Sequence, residues 1–274
     1  MSTILITTAI VTAFTGFLAL LLTIAENTIA NYGELKIVIN DEKEYVVQGG
    51  ASLLSTLISQ SIFIPSACGG RGSCGYCKVK VLEGGGPVLP TELPWLTEDE
   101  LKNNVRLSCQ CKVKENMKIE IPEEWFNVRE YETVVELIED MTPEIKKLRL
   151  RLKEGEEIDF KPGQYIQMKI PTYEGNDEEV YRAYSIATPP SIKNYIDLYI
   201  GYTGGIATTY IHKFLKEGDT VYIYGPYGEF YYHDNSDKEM IMVAVATGIA
   251  PILSILRYMK ENNIQRKVTF YFGA

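Results

Sequence analysis

Cys68, Cys74 and Cys77 fall within ten residues, in the run Cys-Gly-Gly-Arg-Gly-Ser-Cys-Gly-Tyr-Cys, and Cys109 follows in Leu-Ser-Cys-Gln. An iron–sulfur cluster needs thiolates that converge on one small inorganic core, and glycines let the backbone wrap it. The spacing is C-x5-C-x2-C, then 31 residues to Cys109. The plant-type [2Fe–2S] rule is C-x4-C-x2-C with a distant fourth cysteine, so this is one residue off the same plan. Two other chemistries use the same residue types. Cys74 and Cys77 make one C-x2-C half of a zinc site, but the second half, Cys109 and Cys111, is spaced C-x-C, narrower than a zinc ribbon wants. Disulfides need an oxidising compartment, and five cysteines leave one over. The two-iron cluster is the working reading.

The chain that must position these thiols has 274 residues, enough for two domains and part of a third. A hydrophobic content of 46% with 23% charged residues describes a globular chain rather than a disordered one. The net charge of −9 argues against a nucleic-acid partner, which needs clustered Lys and Arg. The acidic run Thr97-Glu98-Asp99-Glu100 reads as a solvated face. His212 and His233 lack ligand-like spacing and read as structural, which disfavours histidine metal chemistry and a Ser-His-Asp triad.

Residues Ser2 to Ala25 carry no ionisable side chain. About 20 apolar residues cross a hydrocarbon core, so residues 1–26 are expected to form a transmembrane helix. A signal peptide fits less well, because no basic segment follows Met1. Threonines at 7, 8, 12 and 15 soften the hydropathy, and Glu26 to Glu34 reads as a polar linker. Leu35–Ile39 and Tyr45–Val47 read as a hairpin, and Ser52 caps a short helix to about Gln60. After the cysteine loop come strands at Lys78–Leu82 and Met117–Ile121, with a turn at Gly84–Pro87. Hairpin, helix, loop and strands predict a small α+β domain over residues 33–126, similar to the β-grasp ferredoxins.

Short alternating strands dominate from Glu130, and turn signals such as Pro162-Gly163 separate them. They predict an antiparallel barrel over residues 129–233, interrupted by one helix near Ile206–Leu215. From residue 238 to 274 the pattern becomes strand, glycine turn, helix, strand, the start of a doubly wound parallel sheet. A strand at Val268–Phe272 leaves that fold short of its βαβ units, and on the order of 60–120 further residues are expected beyond Ala274.

Four motifs stand in order in this second half. Arg182-Ala183-Tyr184-Ser185, read as opening a strand, resembles the Arg-x-Tyr-Ser flavin motif of the ferredoxin–NADP reductase superfamily. Arg182 would fork onto the flavin pyrophosphate, Tyr184 would pack on the ring, and Ser185 would reach its reactive edge. Gly205, Thr208 and Thr209 open the interrupting helix, where small residues and hydroxyls suit a phosphate. Gly225-Pro226-Tyr227-Gly228-Glu229-Phe230 follows a strand, also as in the superfamily. Ala246-Thr247-Gly248-Ile249-Ala250-Pro251 resembles a Gly-Thr-Gly-Ile-Ala-Pro nicotinamide turn, with Ala246 where a glycine is common. Thr247, Gly248 and Pro251 are its candidate NADH residues.

Taken together, the chain resembles the family of F subunits of sodium-translocating NADH:quinone oxidoreductases across essentially its whole length. The resemblance implies FAD, [2Fe–2S] and NADH as cofactors, with Cys68, Cys74, Cys77 and Cys109 as cluster ligands and no family role for Cys111. Tyr184 and Ser185 would act at the flavin. It implies electron flow from NADH to FAD to the cluster, then to other membrane subunits, with quinone reached only indirectly. It implies a single-pass protein of the inner membrane with its globular domains in the cytoplasm. A soluble oxygenase reductase shares the last three parts, and a tethered flavin and iron–sulfur carrier that does not oxidise NADH is the other alternative.

Overall fold

The computed structural model describes residues 2–29 and 32–273, without the side chains of residues 2–5, 22, 24–29, 124 and 127. Ile4, Leu5 and Leu22 of the apolar stretch, and Ala274, therefore lie outside the described side chains or residues. The chain divides into two compact units, residues 1–60 with 78–121, and residues 61–77 with 122–274.

The first unit opens with α1 (Ser2–Ile29), which runs into the segment expected to be linker. Ile6, Ile10, Phe14, Phe17 and Leu20 are exposed along it, and Thr15 and Thr23 bond back to carbonyls of the preceding turn. Among the described residues no helix is long and apolar enough to cross a membrane.

The hairpin forms as β1 (Glu34–Ile39) and β2 (Lys43–Gln48), turning at Asn40 and Asp41, both at positive φ. Ser52 caps α2 (Leu53–Ser59) by accepting from Ser55 N, and β3 (Lys78–Glu83) follows the cysteine loop. The acidic run is exposed at Thr97, Glu98 and Asp99, as a solvated face, and it also starts a helix. It forms α3 (Glu98–Lys102), where Thr97 and Glu100 make a capping box and Glu100 also receives Lys78 Nζ at 2.7 Å. The unit closes with β4 (Val105–Leu107) and β5 (Met117–Glu120) in a sheet ordered β2-β1-β5-β3-β4, with β1 parallel to β5. Ile37, Ile39, Leu53, Leu57, Leu107 and Ile119 fill its core.

In the second unit, β6 (Arg129–Thr142), β7 (Ile145–Leu152), β8 (Tyr165–Ile170), β9 (Val180–Ser185), β10 (Tyr195–Gly201) and β11 (Thr220–Tyr227) form one antiparallel sheet ordered β10-β7-β6-β11-β8-β9. It curls round a core of Leu148, Leu150, Ile166, Met168, Ile196 and Leu198. Among the described residues no ladder joins β9 to β10, although Ala187 N reaches Asp197 O at 2.9 Å. A cross-strand pair, Arg149 with buried Asp197 at 2.7 and 2.9 Å, ties β7 to β10. The interrupting helix is α4 (Ile206–Lys213).

β12 (Met240–Val245) pairs in parallel with β13 (Val268–Gly273), and α5 (Ile249–Glu261) joins them as a crossover helix. The helix covers Met242 and Ala244, while Ile241, Val243 and Val245 on the opposite face are exposed. Both histidines have local structural partners: His212 Nε2 lies 3.0 Å from Ile200 O, and His233 lies against the Tyr231 ring.

Candidate functional site

The cysteine loop lies between α2 and β3, and Gly69, Gly70, Gly72 and Gly75 all take positive φ. These conformations let the loop turn backbone N–H groups onto its own sulfurs. Burial opposes ionisation of Cys68, but hydrogen bonds from the Ser73 backbone, the Cys74 thiol, the Ser73 hydroxyl and the Arg71 backbone bring its pKa down to about 7. Cys74 next to it is raised, chiefly by burial and by the Cys68 sulfur, against a hydrogen bond from the Tyr76 backbone. A two-iron cluster takes four thiolates, and of this adjacent pair Cys68 is the one whose hydrogen bonds already favour negative sulfur. Among the described residues no three His, Cys, Asp or Glu side chains gather as a site for a single metal ion.

Gly69 allows this loop to lie flat on β9. A Cβ there would stand 2.8 Å from Arg182 Nη1 and 3.1 Å from the Tyr181 carbonyl, at a φ of +67° that an L side chain rarely adopts. Phe63 adds a ring contact to Tyr224 at 4.6 Å, and its carbonyl accepts from Tyr227 Oη at 3.4 Å. A cavity of about 660 Å³ opens beside the loop, walled by Pro65, Tyr76, Trp125, Tyr131, Tyr165 and Tyr227.

The flavin motif occupies the last four residues of β9 rather than the first four of a strand, because the ladder with β8 already begins at Val180. Arg182 Nη1 donates to Tyr181 O at 2.7 Å, and no carboxylate among the described residues forms an ion pair with it. Burial, and then the nearby Arg71 charge, pull its pKa down. A half-buried guanidinium facing a second arginine suits a dianionic pyrophosphate. Tyr184 packs on the barrel core, and burial pushes its hydroxyl up. Ser185 lies opposite Tyr165 in the ladder.

Gly205 caps α4 without a side-chain bond, leaving N–H groups at the helix start for an anion. Thr208 Oγ1 lies 3.2 Å from Thr203 Oγ1, and the Thr209 hydroxyl bonds with Tyr202.

The nicotinamide turn is a 3₁₀ turn, Ala246–Gly248, leading into α5. Thr247 approaches Gly201 at the end of β10. Pro251 lies in the first turn of α5, where its missing N–H costs nothing. Two hydrogen bonds pin α5 to the segment just after Ser185: Ser254 Oγ donates to Thr188 O at 2.7 Å, and Arg257 Nη1 to Ala187 O at 2.9 Å. Ala246 has φ +47°, so the departure from glycine carries backbone strain as well as an extra methyl.

In the first unit, Cys109 and Cys111 occupy a turn rather than a strand, since both Gln110 N and Cys111 N donate to Leu107 O. They therefore do not share a face by alternation. Cys109 Sγ accepts from Gln110 Nε2 at 3.6 Å, whereas the Cys111 thiol donates to Gly85 O at 3.5 Å. Burial pushes the Cys111 thiol up.

Just before this turn lies an arrangement that the sequence reading missed. Arg106 donates from Nε and Nη2 to Glu92, from Nη1 to the Gly85 and Gly86 carbonyls, and from Nη2 to Pro87 O. Glu92 also accepts from Leu89 N and Leu107 N, and both side chains are at most 5% exposed. Fourteen residues separate the pair, and no local pattern advertises it.

Residues 37–114 match the 2Fe-2S iron-sulfur cluster binding domain, and residues 132–232 match the oxidoreductase FAD-binding domain. The F subunit of the Na(+)-translocating NADH-quinone reductase of Neisseria gonorrhoeae is 39% identical over 94% of this chain and 72% of its own length. The chain belongs to the family of Na(+)-translocating NADH-quinone reductase F subunits. The Idiomarina loihiensis member is 38% identical over 91% of this chain and 70% of its own length. Family members with these two domains are flavin and iron–sulfur oxidoreductase subunits, and this chain is one of them. Among solved structures, the Amycolatopsis cytochrome P450 reductase GcoB shares the fold, with a TM-score of 0.65 at 22% identity over 87% of this chain and 72% of its own. The ferredoxin reductase in carbazole 1,9a-dioxygenase does so with a TM-score of 0.62 at 21% identity, over 88% and 71%.

Proposed function

We propose that this protein takes electrons from NADH at the residues around Ser185 and Thr247 and releases them one at a time through Cys68, Cys74, Cys77 and Cys109. The observation that carries this reading is the double use of β9. The cysteine loop lies against Tyr181 and Arg182, and α5 is pinned to the carbonyls of Ala187 and Thr188, just past Ser185. When bound, FAD supplies hydride acceptance and the [2Fe–2S] cluster supplies single-electron release. Arg182, Gly205, Thr208 and Thr209 hold the FAD pyrophosphate and its neighbours, and Tyr184 orients the ring. Ser185 presents a hydroxyl at the reactive edge. Thr247, Gly248 and Pro251 shape the backbone turn that receives NADH.

The partners are other membrane subunits of the complex, and quinone receives these electrons only through them. In this reading α1 anchors the protein in the inner membrane with the domains in the cytoplasm. Its 28 residues reach about 42 Å at the usual rise, and its described apolar side chains face outward. Anaerobic NADH added to the full-length, FAD- and iron-loaded protein should bleach the flavin spectrum, and failure to bleach contradicts NADH oxidation.

Ala246 offers a graded test of the nicotinamide turn. Removing the Ala246 methyl opens the backbone of this turn to a pyrophosphate, a gain of roughly 1 kcal/mol, about a fivefold change in an equilibrium. Ala246→Gly should tighten binding of NAD⁺, read by calorimetry, by up to about fivefold. Unchanged or weaker binding would place the nucleotide elsewhere.

A further inference from the structure

Cys109 is followed by a side chain that touches its sulfur, and that side chain is itself held. Gln110 Nε2 stands 3.6 Å from Cys109 Sγ. Its Oε1 accepts from the Thr91 hydroxyl at 2.9 Å, which leaves the amide N–H₂ as the group facing the thiolate. Thr91 is held in turn because its neighbour Glu92 is locked to Arg106 and to Leu107 N. A loop from Gly84 to Trp95 thus braces a hydrogen-bond donor against one sulfur.

We propose that Gln110 tunes the reduction potential of the [2Fe–2S] cluster, with Thr91 as the positioning residue that keeps its amide donating. The inference rests on Cys109 as a cluster ligand. Reduction adds negative charge to the cluster, and a donor to a ligand sulfur favours the more negative state, so it raises the potential. Gln110 is half-buried, so its removal would not simply hand the site to bulk water. The backbone turn that carries Cys109 runs through Leu107 O and needs no Gln110 side chain.

The test is an EPR-monitored redox titration of the full-length, loaded protein with Gln110→Leu, Gln110→Glu and Thr91→Val. Gln110→Leu should retain its iron and show a more negative midpoint potential. The expected change in the reduction equilibrium is threefold to tenfold, the upper figure being about 59 mV for one electron. Gln110→Glu should shift further in the same direction, since it replaces a donor by a charge, and Thr91→Val should shift less. Flavin reduction by NADH should keep its rate in all three. Full iron content with an unchanged potential in Gln110→Leu overturns the inference. If that variant fails to hold iron, Thr91→Val decides: a more negative potential supports the inference and an unchanged one overturns it. A Cys109→Ala protein that keeps its cluster would instead refute the ligand assignment beneath it.

Discussion

Cys109→Ala should abolish the EPR signal of the reduced two-iron cluster, and Cys111→Ala should leave it in place. The two thiols are two residues apart and both nearly inaccessible, with 9% and 1% exposure, so neither burial nor spacing separates them. Their hydrogen bonds do. Cys109 Sγ accepts from Gln110 Nε2, a contact that a thiolate strengthens. The Cys111 thiol spends its proton on Gly85 O, and burial raises its pKa, so it is held as a neutral thiol. A cluster ligand must be deprotonated. Iron content and the EPR signal of the dithionite-reduced variants decide the matter, and loss of both in Cys111→Ala alone would transfer the ligand role.

Glu92→Gln should cost about 3–5 kcal/mol, because it leaves the Arg106 guanidinium buried without its counter-charge. On a unit this small that is roughly 10 °C or more in the loss of cluster absorbance on heating. Replacing both partners, as Glu92→Leu with Arg106→Met, should recover most of it, since the pair is worth more for placing the loop than for net stability. The pH dependence follows from the same contacts. Burial opposes the Glu92 charge, but hydrogen bonds from Arg106, Leu89 N and Leu107 N hold the carboxyl below the usual glutamate range. Its folded pKa is depressed, so the stabilisation is complete above the unfolded pKa. It is lost as the pH falls through the folded value. A Glu92→Gln protein as stable as the parent at neutral pH would show that the pair does not brace this unit.

The cysteine run, the Asn40–Asp41 hairpin, the Ser52 cap and the apolar strand Met240–Val245 were legible because each is a local pattern. Four barrel strands, at 134–137, 148–152, 165–168 and 196–200, were legible by alternation, although their ends were not: β6 runs 14 residues through two bulges, which break the period of two. The run at Thr97–Glu100 looked like plain surface charge. Its capping box could have been read from Thr97 and Glu100 alone, but the Lys78 partner lies 22 residues away. Glu92 with Arg106, and Thr91 with Gln110, were illegible for the same reason, since their meaning lies in who meets whom across the sheet. The strain at Ala246 was half legible, as a missing glycine without its φ.

The most direct measurement mixes the full-length, FAD- and iron-loaded protein anaerobically with NADH. Flavin absorbance and the cluster EPR signal are then followed on rapidly frozen samples. Flavin bleaching should come first, and the reduced-cluster signal should then rise within the same molecules. Flavin bleaching with a cluster that stays oxidised, or no response from either, would contradict electron entry at the NADH turn and exit through the four cysteines.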